Sequence, residues 1–183
     1  MANINVPGFN APAAGPEAPL EMLAACHRRI ERQCMSLQRL ALQLRAQGPD
    51  EPARQAAQNA MRYFDTAARD HHADEEQDLF PALIESMAGS DAVCLRELTQ
   101  GLTLEHRELE AAWRRLRAAL ATIAAGEAAP LSPDEVDDFA ERYRRHIERE
   151  EGELLPMAAR LLSDDEIARV GQAMRKRRGI SDA

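Results

Sequence analysis

The chain is poor in aromatic residues and cysteine, and both shortages limit the folds and sites that it can form. Aromatic residues make up 4% of the 183 residues, whereas alanine, leucine, arginine and glutamate dominate, a composition typical of helices that pack on helices. The three cysteines show no CxxC spacing and form an odd set, so neither a disulfide framework nor a thiolate zinc site is indicated. We expect an all-α protein in a reducing compartment.

Long apolar runs and an excess of basic residues are also missing. No segment approaches the roughly 20 apolar residues that cross a bilayer, and the N-terminus lacks the basic start and apolar core of a signal peptide. The formal net charge of -8 argues against nucleic-acid binding, which needs a basic face. The basic cluster Arg175–Arg178 is interpreted as favourable charge at the end of a last helix. We expect a cytoplasmic protein that binds neither nucleic acid nor a membrane.

Segments rich in glycine, proline, serine and aspartate divide the chain into four long helices and a shorter fifth. Ser132 and Ser163 are each followed three residues later by a glutamate, which predicts the start of a helix at both places. The predicted organisation is an irregular N-terminal arm, an up-and-down four-helix bundle, and a C-terminal helix with its tail, over residues 1–19, 20–162 and 163–183.

The four long helices form two copies of one helix pair. A histidine lies in the apolar stripe of the first helix and again in that of the third, 79 residues further on. The second and fourth helices share the pattern HxxxEExxL, followed by FP and LP. The repeat singles out six polar positions in apolar stripes: His27, His71, Glu75, His106, His146 and Glu150.

These six side chains are predicted to share one layer of the bundle interior. In an up-and-down bundle the chain travels nearly as far to each turn as it travels back, and residues at i and i+4 are neighbours on a helix. Two buried carboxylates need compensation, and the stripes contain no cation. Imidazole with carboxylate suits iron, manganese, zinc or copper. Two metal ions bridged by Glu75 and Glu150 would use every ligand.

The segments CHRRI, HHADEEQDLFP, EHRELE and HIEREEGELLP resemble those of the hemerythrin-like HHE cation-binding domains, over roughly residues 20–160. The resemblance implies a four-helix bundle that holds a non-heme diiron centre with an oxo or hydroxo bridge. It also implies one histidine pair on each iron and both glutamates as bridges: His27 with His71, His106 with His146, and Glu75 with Glu150.

Two positions depart from the oxygen-carrying hemerythrins. Those proteins place a further histidine one turn before the third-helix histidine, where this chain has Leu102, so a more open shell is implied and reversible oxygen carriage is disfavoured. Their second carboxylate falls five residues after its histidine, which would select Glu151. The internal repeat instead favours Glu150, and Glu151 is kept as an alternative ligand.

Several other residues near the six are open to more than one interpretation. His72 is either an alternative ligand, a donor behind the ligands, or a residue that packs at a helix boundary. Glu31 and Glu110 are expected to be solvated charges, with a supporting role for the metal as the alternative. Tyr143 is expected in the core, and Cys26 is expected to be a buried thiol unless oxidants form at the metal.

The predicted function is that of a diiron protein that binds or reacts with dioxygen, nitric oxide or peroxide, in sensing, binding or iron handling. One alternative is an iron-donating repair protein of iron–sulfur clusters, although the cysteine-bearing N-terminal segment common in that group is not evident. Another is a peroxidase-like or ferroxidase-like enzyme, although ferritin-like oxidases carry more carboxylates than histidines. The sequence indicates no protein partner and no oligomeric state.

Overall fold

The computed structural model describes residues 18–87 and 91–180, which form only helices and the turns between them. Four rods make up the bundle. The first rod is α1 (Pro19–Gln47), and the third is α5 (Asp91–Ala124). The second rod is α2 (Glu51–Asp65), α3 (Ala67–Asp74), a first π turn (Glu75–Leu79) and α4 (Phe80–Ser86). The fourth rod is α6 (Pro133–Arg149), a second π turn (Glu150–Leu154) and α7 (Leu155–Leu161), and α8 (Asp164–Arg177) follows it.

The described residues confirm the predicted all-α bundle with a short fifth helix. The first rod packs against the second and the fourth, and the third rod closes the ring by packing against the same two. Side-chain caps begin α6 at Ser132 and α8 at Ser163, where Glu166 completes a capping box. Residues 1–17, most of the predicted N-terminal arm, lie outside the described part of the chain. None of the described helices has the length and apolar composition that spanning a bilayer requires.

Two apolar clusters fill the bundle, and a polar layer lies between them. One cluster contains the rings of Phe64, Trp113, Phe139 and Tyr143, which meet in tilted and edge-to-face contacts, together with apolar residues such as Ile30 and Leu109. The other cluster is aliphatic and lies on the opposite side of the layer, with these members from the four rods: Leu23, Leu79, Leu102 and Leu154. Each site helix therefore enters the polar layer from one apolar cluster and leaves it into the other.

Both HxxxE motifs lead directly into a π turn, which the helical periodicity of the sequence does not predict. The N–H of Phe80 donates to the carbonyl of Glu75, and the N–H of Leu155 donates to the carbonyl of Glu150, five residues back in each case. Pro81 follows the first turn, and a proline also follows the second. Proline has no N–H and crowds the carbonyl four residues earlier, which favours the wider turn before it.

The last helix, α8, packs on α1 and α3 and brings two arginines to a buried carboxylate. Asp74 has no exposed surface, and it accepts hydrogen bonds from both Arg177 and Arg178, the latter through Nη1 at 3.1 Å and Nη2 at 2.5 Å. Arg177 also contacts Asp78 at 2.7 Å. The interpretation of the basic cluster as helix-end charge is therefore incomplete, because two of its members fix the residue that precedes Glu75.

Candidate metal centre

The structure brings all six predicted site residues together in the polar layer. None of them has more than 2% of its surface exposed. Their nitrogen and oxygen atoms form two overlapping groups, and within each group these atoms lie within 4.8 Å of one another. The groups are His27, His71, Glu75 and Glu150, and Glu75, His106, His146 and Glu150. Each group could hold one metal ion, and both glutamates belong to both groups.

Each glutamate directs one oxygen toward each histidine pair. Glu75 Oε1 lies 3.6 Å from His71 Nε2, and its Oε2 lies 3.4 Å from His106 Nε2. Glu150 Oε2 lies 3.1 Å from His27 Nε2, and its Oε1 lies 2.9 Å from His146 Nε2. Each carboxylate could therefore offer one oxygen to each of the two groups.

Most of these inward atoms have no hydrogen-bond partner among the described residues. The atoms without a partner include Nε2 of His27 and His71 and both carboxylate oxygens of Glu75 and Glu150. They approach other polar atoms closely but outside hydrogen-bonding geometry. Buried polar atoms are normally satisfied, so a group of them aimed at two common points indicates cations as their partners. Four imidazoles and two carboxylates fit two ions of the iron, manganese or zinc type.

The side chains of the polar layer shift one another's pKa values. Burial favours neutral imidazole at His106 and His146, but the nearby carboxylates outweigh it and raise their pKa values to about 10 and about 9. Burial and the charge of Glu150 raise the pKa of Glu75 to about 7. Burial also acts on Glu150, but the histidines around it hold its pKa well below the usual range. The two carboxylates and the imidazoles around them therefore interact strongly through their charges.

A second set of carboxylates contacts the Nδ1 atoms of three of the four histidines. Glu151 Oε1 lies 3.0 Å from His27 Nδ1, Glu76 Oε1 lies 2.7 Å from His106 Nδ1, and Glu105 Oε2 lies 2.7 Å from a third imidazole. A carboxylate that accepts from Nδ1–H leaves the Nε2 lone pair directed inward and makes the imidazole a stronger ligand. Glu151, the alternative ligand, lies in this outer set.

Sequence reasoning missed the other two outer carboxylates. Glu76 could have been found, because it occupies in the first copy the position that Glu151, already an alternative ligand, occupies in the second. Glu105 had no such signal, because its position in the first copy is occupied by Cys26. The partner of Glu105 is His146, and the corresponding imidazole, His71, has no Nδ1 partner within residues 18–87 and 91–180.

The remaining candidates lie around this layer. His72 is 5% exposed and stacks on His106 with ring centroids 4.0 Å apart. One of its ring nitrogens lies within 4.8 Å of ring nitrogens of His106 and His146, so His72 stays an alternative ligand. Tyr143 is buried in the aromatic cluster, as predicted. Glu110 pairs with Arg107 at the surface, and Glu31 is exposed. Cys26 is a buried free thiol, and burial raises its pKa.

Comparison with known proteins gives two findings. The family model described as "Hemerythrin HHE cation binding domain" matches residues 18–158, a span that includes all six residues of the polar layer. An uncharacterised protein of Haemophilus influenzae is 30% identical over 164 residues, which cover 90% of this chain and 92% of that protein.

Proposed function

Because the chain belongs to the hemerythrin HHE cation binding domain family, we propose that its polar layer holds two iron ions completed by an oxo or hydroxo bridge. The observation that carries this proposal is the placement of Glu75 and Glu150, each with one oxygen toward each histidine pair. One iron takes the first histidine pair and the other takes the second, and both glutamates bridge: His27 with His71, and His106 with His146.

The proposed role is binding, sensing or iron handling with dioxygen, nitric oxide or peroxide as the ligand. A bound diiron centre supplies electrons and open coordination positions to such molecules. The chain's own residues supply the surroundings: the outer carboxylates hold imidazoles in one tautomer, and the two apolar clusters limit access of water. Four histidines against two bridging glutamates favour this role over a ferroxidase. A cytoplasmic location stays a prediction.

The test is the metal content of protein purified without added metal. We expect close to two iron atoms per chain, with Mössbauer spectra of a coupled pair. Anaerobically reduced protein should then change its optical spectrum on exposure to air, nitric oxide or peroxide. Reversible changes support binding or sensing, whereas consumption of peroxide over many cycles would favour a redox enzyme, and transfer of iron to an acceptor would favour repair. Two zinc ions, or no metal, would contradict the proposal.

A further inference from the structure

A cavity opens beside one half of the polar layer. Its volume is about 550 Å³. The buried residues that line it include His72, Tyr143 and Trp113. We call it the His72 cavity. Because His72 stacks on His106 and lies with its ring centroid 6.0 Å from that of His146, the cavity approaches the second histidine pair.

His72 presents an unsatisfied polar atom at this place. Its Nε2 is buried and has no hydrogen-bond partner within the described residues. The residue at the matching position of the second copy is Ile147, which is 4% exposed and belongs to the apolar cluster. The two halves of the layer therefore differ at this position: His72 is polar and lines a cavity, whereas the matching residue of the other half is aliphatic and packs in the apolar cluster.

The rim of the His72 cavity is basic. Three arginines line it, with Asp65 and Glu110 as the acidic residues. Arg117 is neutralised by Asp65 at 2.8 Å. Arg114 donates only to a backbone carbonyl, and neither it nor Arg69 is paired with a carboxylate in the part of the chain that the structure describes. Two uncompensated guanidinium groups make the opening attractive to anions.

A second cavity near His106 and His146 does not offer an anion the same access. It has a volume of about 520 Å³, and these residues line it: Glu105, Glu108, Leu109, Arg142, Arg145 and His146. Arg142 pairs with acidic residues, and Glu105 already occupies the Nδ1 edge of His146. This cavity therefore reaches the back of one ligand and not its metal-facing side, which makes it a matched control.

We propose that the His72 cavity admits a small monoanion of the size of azide or nitrite and holds it beside His72, against the His106–His146 half of the centre. Arg69 and Arg114 draw the anion in, and the imidazole of His72 donates a hydrogen bond to it. The contact with a metal ion rests on the proposed function, whereas the entry of the anion does not.

The entry step can be tested on metal-free protein, because Trp113 is the chain's single tryptophan and lines the cavity. Iodide should quench its fluorescence more strongly than caesium at equal ionic strength. Arg69→Gln with Arg114→Gln should lower iodide quenching about threefold or more and leave quenching by neutral acrylamide unchanged. Arg142→Gln with Arg145→Gln removes the same charge at the second cavity and should change neither. Equal effects of the two double variants would overturn the proposal.

The binding step is tested with azide on oxidised, iron-loaded protein. His72→Ile, which copies the matching position of the other half, should keep two irons per chain and raise the Kd for azide about tenfold or more, as expected for a lost hydrogen bond to a charged group. His72→Gln retains a donor and should recover most of the affinity. Loss of one iron in the isoleucine variant would show that His72 is a metal ligand and would overturn the proposal, as would an unchanged Kd.

The two proposals fail separately. Wild-type protein purified without bound iron would contradict the diiron function. The iodide experiment would still decide whether anions enter the cavity. Suppose instead that the protein holds two irons per chain and that iodide quenching is unchanged when Arg69 and Arg114 are replaced. This result would contradict the anion route and leave the diiron function in place.

Discussion

The two helix pairs supply the same ligands to the polar layer but surround them differently. Each pair provides two imidazoles and one glutamate that belongs to both groups of ligand atoms. In the second histidine pair both imidazoles meet a carboxylate at Nδ1, from Glu76 and Glu105. In the first pair His27 does so too, whereas His71 Nδ1 has no partner in the described part of the chain. Imidazoles held by carboxylates are better metal ligands. Two ions in this nearly symmetric set of ligands would therefore be bound with unequal affinity.

The helix turn before each glutamate differs as well. Asp74 precedes Glu75 and is fully buried under Arg177 and Arg178 of the C-terminal segment. At the matching position of the second copy stands Arg149, a third exposed, which reaches Glu105 at 2.7 Å. Both copies thus fix the π turn by an ion pair, but only the first copy depends on a segment from outside the bundle.

The largest effect, a loss of bound iron, is expected from variants of Glu75 and Glu150, because both glutamates belong to both halves of the layer. Glu150→Ala or Glu75→Ala removes a bridge, so either variant should retain less than about a tenth of wild-type iron after gel filtration, measured by elemental analysis. Glu151→Ala is the control, because Glu151 touches only Nδ1 of His27, and it should keep both ions with weaker affinity. Wild-type iron content in Glu75→Ala would argue against bridging.

The next effect concerns the ion pairs. Arg177→Ala with Arg178→Ala leaves Asp74 buried without its partners, which should lower the free energy of unfolding of the metal-free protein by about 3–5 kcal/mol. Arg149→Ala breaks a partly exposed pair and should cost no more than about 1 kcal/mol. Urea denaturation followed by circular dichroism measures both. Similar losses in the two variants would mean that α8 does not set the halves apart.

A smaller effect should separate the two metal ions. Glu105→Gln weakens the carboxylate behind His146, so the affinity of one ion should fall about 10- to 100-fold while the other is unchanged. Cys26→Ser changes the matching position of the first copy, where no carboxylate is lost, and should alter neither affinity. Anaerobic ferrous titration with equilibrium dialysis reports both ions. Two equal losses in Glu105→Gln would remove the inequality inferred from the comparison.

The sequence alone was sufficient to predict which residues form the polar layer. The helix stripes and the internal repeat identified the six residues and their common depth, because both depend on local periodicity and on the lengths of the rods. Contacts made by long side chains from distant elements could not be predicted that way. The pairing of Arg178 with Asp74 and the hydrogen bond of Glu105 to His146 depend on side-chain directions that only the packed bundle defines.

The helical periodicity of the sequence also did not predict the irregular backbone of the second rod. The second rod was predicted as one helix, but it breaks at Thr66, with φ -125° and ψ -82°, and widens into the first π turn. Both changes alter the side on which later residues lie. Glu76 therefore reaches the bundle interior, although a regular helix would have turned it away from the face of Glu75.

The smallest expected effect concerns two glycines that stand where the other copy has side chains. Gly152, in the second π turn, corresponds to Gln77, and nothing lies within 4 Å of an added Cβ. Gly152→Ala should therefore raise the free energy of unfolding by about 0.5–1 kcal/mol, because alanine loses less backbone freedom on folding. A destabilised Gly152→Ala variant would show that the π turn itself needs glycine.

Gly101, in α5, corresponds to Met22, but here an added Cβ would lie 2.9 Å from Arg149 Nη1. The guanidinium is the far end of a flexible side chain, so it can move aside, although in doing so it leaves Glu105. The gain from alanine should then be cancelled in urea denaturation, and the affinity of one metal ion should fall slightly. A full gain of stability in Gly101→Ala, with unchanged metal affinity, would mean that the pair of Arg149 and Glu105 contributes nothing to the second half.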